Sequence, residues 1–256
     1  MDQTSPQPDA ASASGPVPLL SVVVPVYNEE STLAEIIRRI RAVPVDKEII
    51  LVDDGSKDRS REILAAHADA RTRIHFHETN KGKAGALATG FGLARGRIVI
   101  IQDADLEYDP EEYPQLLEPI LDGRADVVFG SRFQGRQQRV HLFWHYIANR
   151  LLTLLSNICT NLNLTDMECC YKVFRREVLD LVTIQSRRFA VEPELTQKVA
   201  KLGVRVYEVG CSYHGRDYTE GKKIGFWDAV EAVWAIVRFK FLWFPSRRLK
   251  LAPFNA

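Results

Sequence analysis

The chain has 256 residues, of which 46% are hydrophobic, enough to bury the core of one large α/β domain. Its 34 Lys and Arg nearly balance 33 Asp and Glu, so no bulk charge draws it toward nucleic acid and any charged chemistry must be local. The four cysteines, Cys159, Cys169, Cys170 and Cys211, show neither metal-ligand spacing nor a disulfide-rich pattern; adjacent Cys169 and Cys170 read as small buried hydrophobes, and a reducing compartment fits.

Residues 1–18 are rich in Ala, Ser and Pro and lack a basic start followed by an apolar core, which predicts a disordered tail rather than a signal peptide. Leu20 to Val26 reads as a first strand. Leu33, Ile36, Ile37 and Ile40 then carry the spacing of an amphipathic helix. Glu48 to Val52 is a second strand ending in Asp53-Asp54-Gly55, and Arg73 to His77 is a third. Leu87 to Ala94 belongs to the following helix. Arg97 to Gln102 makes a fourth, nearly all-apolar strand that ends in Asp103-Ala104-Asp105.

Asp109, Pro110 and Glu112 predict a helix start with a capping box, and Tyr113, Leu116, Leu117 and Ile120 are its buried stripe. Ala125 to Phe129 is a fifth strand, ending in Gly130-Ser131-Arg132. Beyond it the alternation stops: a helical stretch from about His141 to Leu162, a helix begun at Pro193, a strand near Val204 to Val209, and a basic segment from His214 to Lys223. Alternating strands and helices of this kind predict a mostly parallel sheet with crossover helices.

No segment holds the roughly 18 uninterrupted apolar residues that a membrane-spanning helix needs. Phe226 to Phe244 comes nearest and is broken by Asp228, Glu231, Arg238 and Lys240. Two stripes nonetheless suit a membrane interface, Leu142 to Leu155 and the C-terminal run through Trp234 and Phe241 with Arg247, Arg248 and Lys250 beyond. Packing on the protein's own core is the alternative for both.

Ligands of open α/β sheets bind beyond the carboxyl ends of the strands. Four such ends carry polar groups here: Tyr27, Asn28 and Glu29; Asp53 and Asp54; Asp103 and Asp105; Arg132. Two carboxylates one small residue apart, after a rigid apolar strand, can turn toward one hard cation whose other positions phosphate oxygens and water fill. A solvated turn is the plainer reading of such a triplet in isolation. Glu192 and His214 read as structural residues.

These residues resemble family 2 glycosyltransferases, in the polyprenyl (dolichyl) phosphate mannose synthase branch. The resemblance runs through Val24-Pro25-Val26-Tyr27-Asn28-Glu29, Val52-Asp53-Asp54-Gly55-Ser56, Asp103-Ala104-Asp105-Leu106, Gly130-Ser131-Arg132 and Arg216-Asp217-Tyr218-Thr219-Glu220-Gly221-Lys222. It implies a GT-A fold over residues 19–225, followed by an amphipathic, basic segment over 226–256. It implies that Pro25, Tyr27, Glu29 and Asp54 hold the nucleoside, and that Asp103 and Ala104 meet the nucleotide sugar. Asp105 would be the principal ligand of a Mg²⁺ or Mn²⁺ ion, with Asp103 and Glu107 beside it. Arg132, Arg216 and Lys222 would meet phosphates, and Asp105 with Arg132 would carry the catalysis. The loop Asn80-Lys81-Gly82-Lys83 continues with Ala84 where relatives often have glycine.

The implied reaction moves a hexose, mannose first, from a nucleoside diphosphate sugar to a polyprenyl phosphate with inversion. GDP-mannose is the first donor expected and UDP-glucose the next. Peripheral contact with the cytoplasmic membrane face, and a separate membrane partner protein, fit that acceptor. A hydroxyl acceptor in polysaccharide or glycoconjugate synthesis is the second reading, and an inactive sugar-nucleotide-binding module is the third. The G-x-G-x-x-G of a Rossmann dehydrogenase does not follow the first strand.

Overall fold

The computed structural model describes residues 16–134, 142–186, 190–215 and 226–255. The tail expected over residues 1–18 therefore lies almost wholly outside the described residues, as do Arg216, Lys222 and most of the basic segment.

Among the described residues one sheet takes the strands β1 (Leu20–Val26), β2 (Lys47–Asp53), β3 (Thr72–Phe76), β4 (Ile98–Ile101), β5 (Val127–Ser131), β6 (Lys172–Arg175) and β7 (Val206–Gly210). Their order is β3-β2-β1-β4-β6-β5-β7. Every pairing is parallel except those of β6, which runs antiparallel to both β4 and β5. The first five strands fall within two residues of their expected bounds. β6 is absent from the sequence reading because it is short and opens on a lysine. That lysine, Lys172, is buried, and its ammonium donates to the carbonyls of Met167 and Cys169 at 3.0 and 2.5 Å.

Helices cover both faces, as the near-continuous apolar runs of the central strands require. On one face α1 (Leu33–Ala42), α2 (Ser60–Ala66) and α4 (Tyr113–Leu121) pack on Val22, Val24, Leu51 and Ile100. On the other, α3 (Gly82–Leu93), the short α6 (Arg176–Leu179) and α7 (Val191–Leu202) pack on Val23, Ile50, Val52 and Val99. Alternate residues of β1 thus point to opposite layers, as the strand period demands. Gly90 lets α3 approach β1, since a Cβ there would collide with Val23 Cγ1.

Asp109 caps a 3₁₀ turn over Pro110–Glu112 that leads into α4, its carboxylate accepting from Glu111 N at 3.1 Å. The expected capping box does not close. Glu112 instead reaches across to accept from Ser212 N at 3.0 and 3.1 Å, which fastens the end of β7 to this turn. The long helix α5 (Phe143–Thr160) and the C-terminal helix α8 (Phe226–Leu242) pack against each other and against α7. Beyond α8, Leu249 and Phe254 return to the two core layers, so the C-terminal segment is built into the domain.

Candidate active site

The site grows from the carboxyl edge of β1, β2, β4 and β5. Asn28 turns the chain out of β1 in the left-handed region (φ 53°). Its N–H donates to Ser56 Oγ at 3.0 Å, and its own Oδ1 accepts from Lys57 N at 2.8 Å, joining the loops after β1 and β2. Glu29 N donates to Ser60 Oγ at 3.0 Å. Thr32 Oγ1 donates to the carbonyl of Ala104 at 3.0 Å, so the first loop also holds the Asp103–Asp105 loop. Pro25 is half-buried at the edge, and Tyr27 exposes its ring beside it.

Asp54 takes a different position from the one its motif suggests. Its buried carboxylate accepts from Lys81 N and Gly82 N at 2.8 and 2.7 Å and meets His77 Nδ1 at 2.8 Å. It therefore clamps the start of α3, where orphan N–H groups need acceptors.

The clamped helix delivers Lys83 to the Asp103–Asp105 loop. Lys83 Nζ lies 2.8 Å from Asp103 Oδ1, 3.0 Å from Glu192 Oε1 and 3.2 Å from Cys170 Sγ. Burial would depress the ammonium's pKa, but Asp103, Cys170 and Glu192 outweigh it and hold it well above the ordinary lysine value. Glu192 stands on α7 and is nearly shut from solvent. Two residues on, Glu194 has another task, accepting from Gln185 N and Ser186 N and pairing with Lys198.

Asp105 is also largely buried and turns its Oδ1 to accept from Glu107 N at 3.2 Å. Glu107, expected beside the metal, accepts at Oε2 from Tyr213 OH at 3.0 Å, and its carbonyl accepts from His214 N. Among the described residues no three His, Cys, Asp or Glu side chains converge as metal ligands. The donor chemistry fits a hard divalent cation in a narrower sense. Asp103 and Asp105 offer carboxylates from one loop, and phosphate oxygens and water would fill the rest of the shell.

Across the site, Arg132 is locked onto Asp166. Its Nε and one terminal nitrogen donate to the two carboxylate oxygens at 2.6 and 2.8 Å, and its backbone N–H adds a third bond at 3.0 Å. Asn149 of α5 donates to the same carboxylate at 3.0 Å. Burial pushes Asp166 up, yet Arg132 holds it below the usual carboxylate range. The guanidinium also stands over the Tyr213 ring, 5.1 Å from its centroid. Gly130 permits this corner: a Cβ there would meet Tyr171 Cβ at 2.8 Å and Cys169 Sγ at 3.0 Å.

The segment between Asp166 and Cys170 thus joins the two halves of the site. Sequence reasoning passed over Asp166, Glu168 and Lys172 and read Cys170 only as a buried hydrophobe, although six titratable side chains in seven residues, ahead of a short strand, were a usable signal. It also set Glu192 aside as structural, while the fold brings it to Lys83.

The sequence profile of the family described as "Glycosyl transferase family 2" matches residues 21–182. An undecaprenyl-phosphate 4-deoxy-4-formamido-L-arabinose transferase of Pseudomonas aeruginosa (strain LESB58) is 35% identical over 214 residues, covering 81% of this chain and 61% of its own length. The chain therefore spans about three fifths of that relative's length. An undecaprenyl-phosphate mannosyltransferase of Micrococcus luteus is 32% identical over 214 residues, covering 79% of this chain and 86% of its own. Glucosyl-3-phosphoglycerate synthase from Mycobacterium tuberculosis, solved with Mn²⁺, UDP and glucosyl-3-phosphoglycerate, superposes with a TM-score of 0.67. It is 22% identical and is covered over 80% of its length by 87% of this chain, a likeness that establishes the GT-A fold. With more than half its residues under the family profile, and the Micrococcus luteus relative 32% identical with 86% of its length covered, the chain belongs to glycosyl transferase family 2.

Proposed function

We propose that the protein transfers a hexose, mannose first, from a nucleoside diphosphate sugar to a polyprenyl phosphate, inverting the anomeric carbon. The observation that carries this reading is the pair of fixed cations facing one edge of the sheet. Lys83 is held by Asp103 and Glu192, and Arg132 by Asp166. Two anionic reactants, a diphosphate and a phosphate monoester, need such anchors. Undecaprenyl phosphate in the names of both bacterial relatives supports the acceptor class.

In the reaction an acceptor phosphate oxygen attacks the anomeric carbon as its bond to the diphosphate breaks, and that electron pair leaves with the nucleoside diphosphate. Phosphate is anionic near neutral pH, so no base has to remove a proton. Arg132 would position one phosphate and Lys83 would balance charge near the other. Tyr27, Glu29 and Pro25 would hold the nucleoside beside the first loop. A Mg²⁺ or Mn²⁺ ion held by Asp103 and Asp105 would supply Lewis-acid neutralisation of the departing charge. Arg216 and Lys222 would add to the phosphate contacts from the segment outside the described residues.

Helices α5 and α8 support a resting place on the cytoplasmic membrane face. Trp144 and Trp227 are each 76% exposed, and Phe143, Leu151, Ile158, Trp234 and Phe241 are exposed with them. Among the described residues no helix is long and apolar enough to cross a membrane. Exposed aromatic faces on paired helices suit an interface that also presents the lipid acceptor.

A hydroxyl acceptor remains the second reading, because buried Glu192 could take its proton. The experiment is transfer of radiolabelled sugar from GDP-mannose and UDP-glucose, separately, to polyprenyl phosphate with Mg²⁺ or Mn²⁺. Label in the lipid fraction, lost in Asp105→Ala, is the expected result. Donor binding without lipid label would move the assignment to a hydroxyl acceptor.

A further inference from the structure

Glu168 is an acid at this site whose surroundings disfavour its charge. Its chain neighbours on both sides are part of the site. Asp166 holds Arg132, and Cys170 lies against Lys83. The residue keeps partial access to solvent, while its Oε1 is shut away without a hydrogen-bond partner among the described residues. A buried, unpaired carboxylate oxygen is costly, whereas a protonated carboxyl tolerates the position.

The charged groups around it come from four elements. Glu192 faces it from α7, Lys172 from β6, Arg132 from the end of β5 and Asp166 from its own segment. Burial raises its pKa first and Glu192 raises it further. Lys172 and Arg132 offset this only in part, since Lys172 already serves backbone carbonyls and Arg132 already serves Asp166. The carboxyl is pushed up to about 8. Two facing acids share their burden in the usual way, one ionised and one not. Here Glu192 has Lys83 as a partner, so the proton stays on Glu168.

We propose that Glu168 serves the transfer as a neutral carboxylic acid that offers a hydrogen bond to a substrate oxygen beside Glu192 and Arg132. The proposal rests on the transferase reading above and adds a recognition residue to it. A neutral acid suits this place because the incoming diphosphate and phosphate already meet Asp103, Asp105 and Glu192. A further carboxylate would repel them, while an O–H donates to a sugar hydroxyl or a phosphate oxygen alike. The acidic proton is shared in a hydrogen bond and not transferred, so no bond is made or broken at Glu168.

The test is steady-state kinetics of the full chain from pH 6 to 9.5, varying the sugar nucleotide and polyprenyl phosphate in turn. In wild type, kcat/KM should fall as pH rises through about 8. Glu168→Gln keeps a neutral donor of the same shape; it should lose less than tenfold at pH 7 and lose the alkaline fall. Glu168→Met keeps the volume without the donor and should lose at least a further tenfold. A rise in KM for the sugar nucleotide assigns the partner oxygen to the sugar, and a rise in KM for the lipid assigns it to the acceptor phosphate.

Glutamine as damaging as methionine at pH 7 would overturn the proposal, because the ionised form would then be the working one. So would a wild-type profile flat to pH 9.5, which needs no variant and so survives any folding defect. If wild type moves no sugar to polyprenyl phosphate, the acceptor reading fails separately. The same pH series and variants are then read by sugar-nucleotide binding.

Discussion

Arg132 and Asp166 form a two-pronged ion pair at 2.6 and 2.8 Å, closed by a third bond from the Arg132 backbone, at the junction of β5 and the segment that leads into β6. The arginine comes from a motif legible in the sequence and the aspartate from a stretch that carries none. Removing the aspartate should therefore cost both fold and function. Asp166→Ala strands a mostly buried guanidinium, an effect of about 3–5 kcal/mol in comparable buried pairs. Denaturant unfolding should show that loss. Arg132→Lys keeps the charge but not the fork, and should lower kcat/KM by about tenfold or more with a smaller loss of stability. Equal stability losses in both variants with normal turnover would reduce the pair to scaffolding.

Lys83 offers a second separation of roles. It sits within 3.0 Å of carboxylates from two different elements, Asp103 on the β4 loop and Glu192 on α7. Lys83→Met leaves those two acids facing each other without their cation. Loss of a preorganised charge of this kind costs about 10²–10³ in kcat. The expected signature is such a fall together with a weaker response to added Mg²⁺ or Mn²⁺, because Asp103 is disturbed. An unchanged metal titration would uncouple Lys83 from the Asp103–Asp105 loop.

What could be read in advance follows from range. The first five strands and the α1 and α4 stripes were legible because periodicity and caps are local properties, and so were the strand-end motifs that place Asp103, Asp105 and Arg132. The pairing of Glu112 with Ser212 spans 100 residues, and the contact of Lys83 with Glu192 joins helices on separate stretches of chain. Neither leaves a local pattern. β6 escaped because a buried lysine satisfied by carbonyls looks polar in a sequence and apolar in a fold. Asp54 shows the converse: its motif was visible, while its use as the clamp on α3 depends on where residues 81 and 82 come to rest.

The helical face of α5 and α8 gives a prediction in a different measurement. Trp144 and Trp234 are 76% and 62% exposed on helices that pack together. Trp144→Glu with Trp234→Glu should abolish flotation with anionic lipid vesicles, since each change exchanges a favourable apolar insertion for the burial of a charge. Turnover of long-chain polyprenyl phosphate in vesicles should fall more than turnover of a short, water-dispersed analogue. Equal losses on both would place the effect in the fold and not in the interface.

Gly130 tests the corner beneath Arg132 sterically. The Cβ of Gly130→Ala would lie 2.8 Å from Tyr171 Cβ, 3.0 Å from Cys169 Sγ and 3.3 Å from Cys211 Sγ. None of these neighbours is the free end of a long side chain, so the backbone must shift. Overpacking of this type costs about 1–3 kcal/mol. A thermal melt should show the loss, and Cys211→Ala in the same chain should restore only part of it, because Tyr171 and Cys169 remain in the way.

Glu168 also leaves a mark on stability that is independent of substrate. Its folded-state pKa is raised from an ordinary glutamate value of 4.5 to about 8, with burial the main cause. Between those limits the unfolded chain releases the proton and the folded chain keeps it, so the folded state binds more protons. Stability then falls as pH rises through that window and levels off above it. The full effect of such a shift is on the order of a few kcal/mol, spread over pH 5 to about 8. Glu168→Gln removes the titration and keeps the shape. The unfolding free energy of the glutamine variant, measured against that of wild type, should therefore grow steadily from pH 5 to about 8. Parallel curves across that range would mean that Glu168 ionises in the folded protein as it does in water, and the neutral-donor role would go with it.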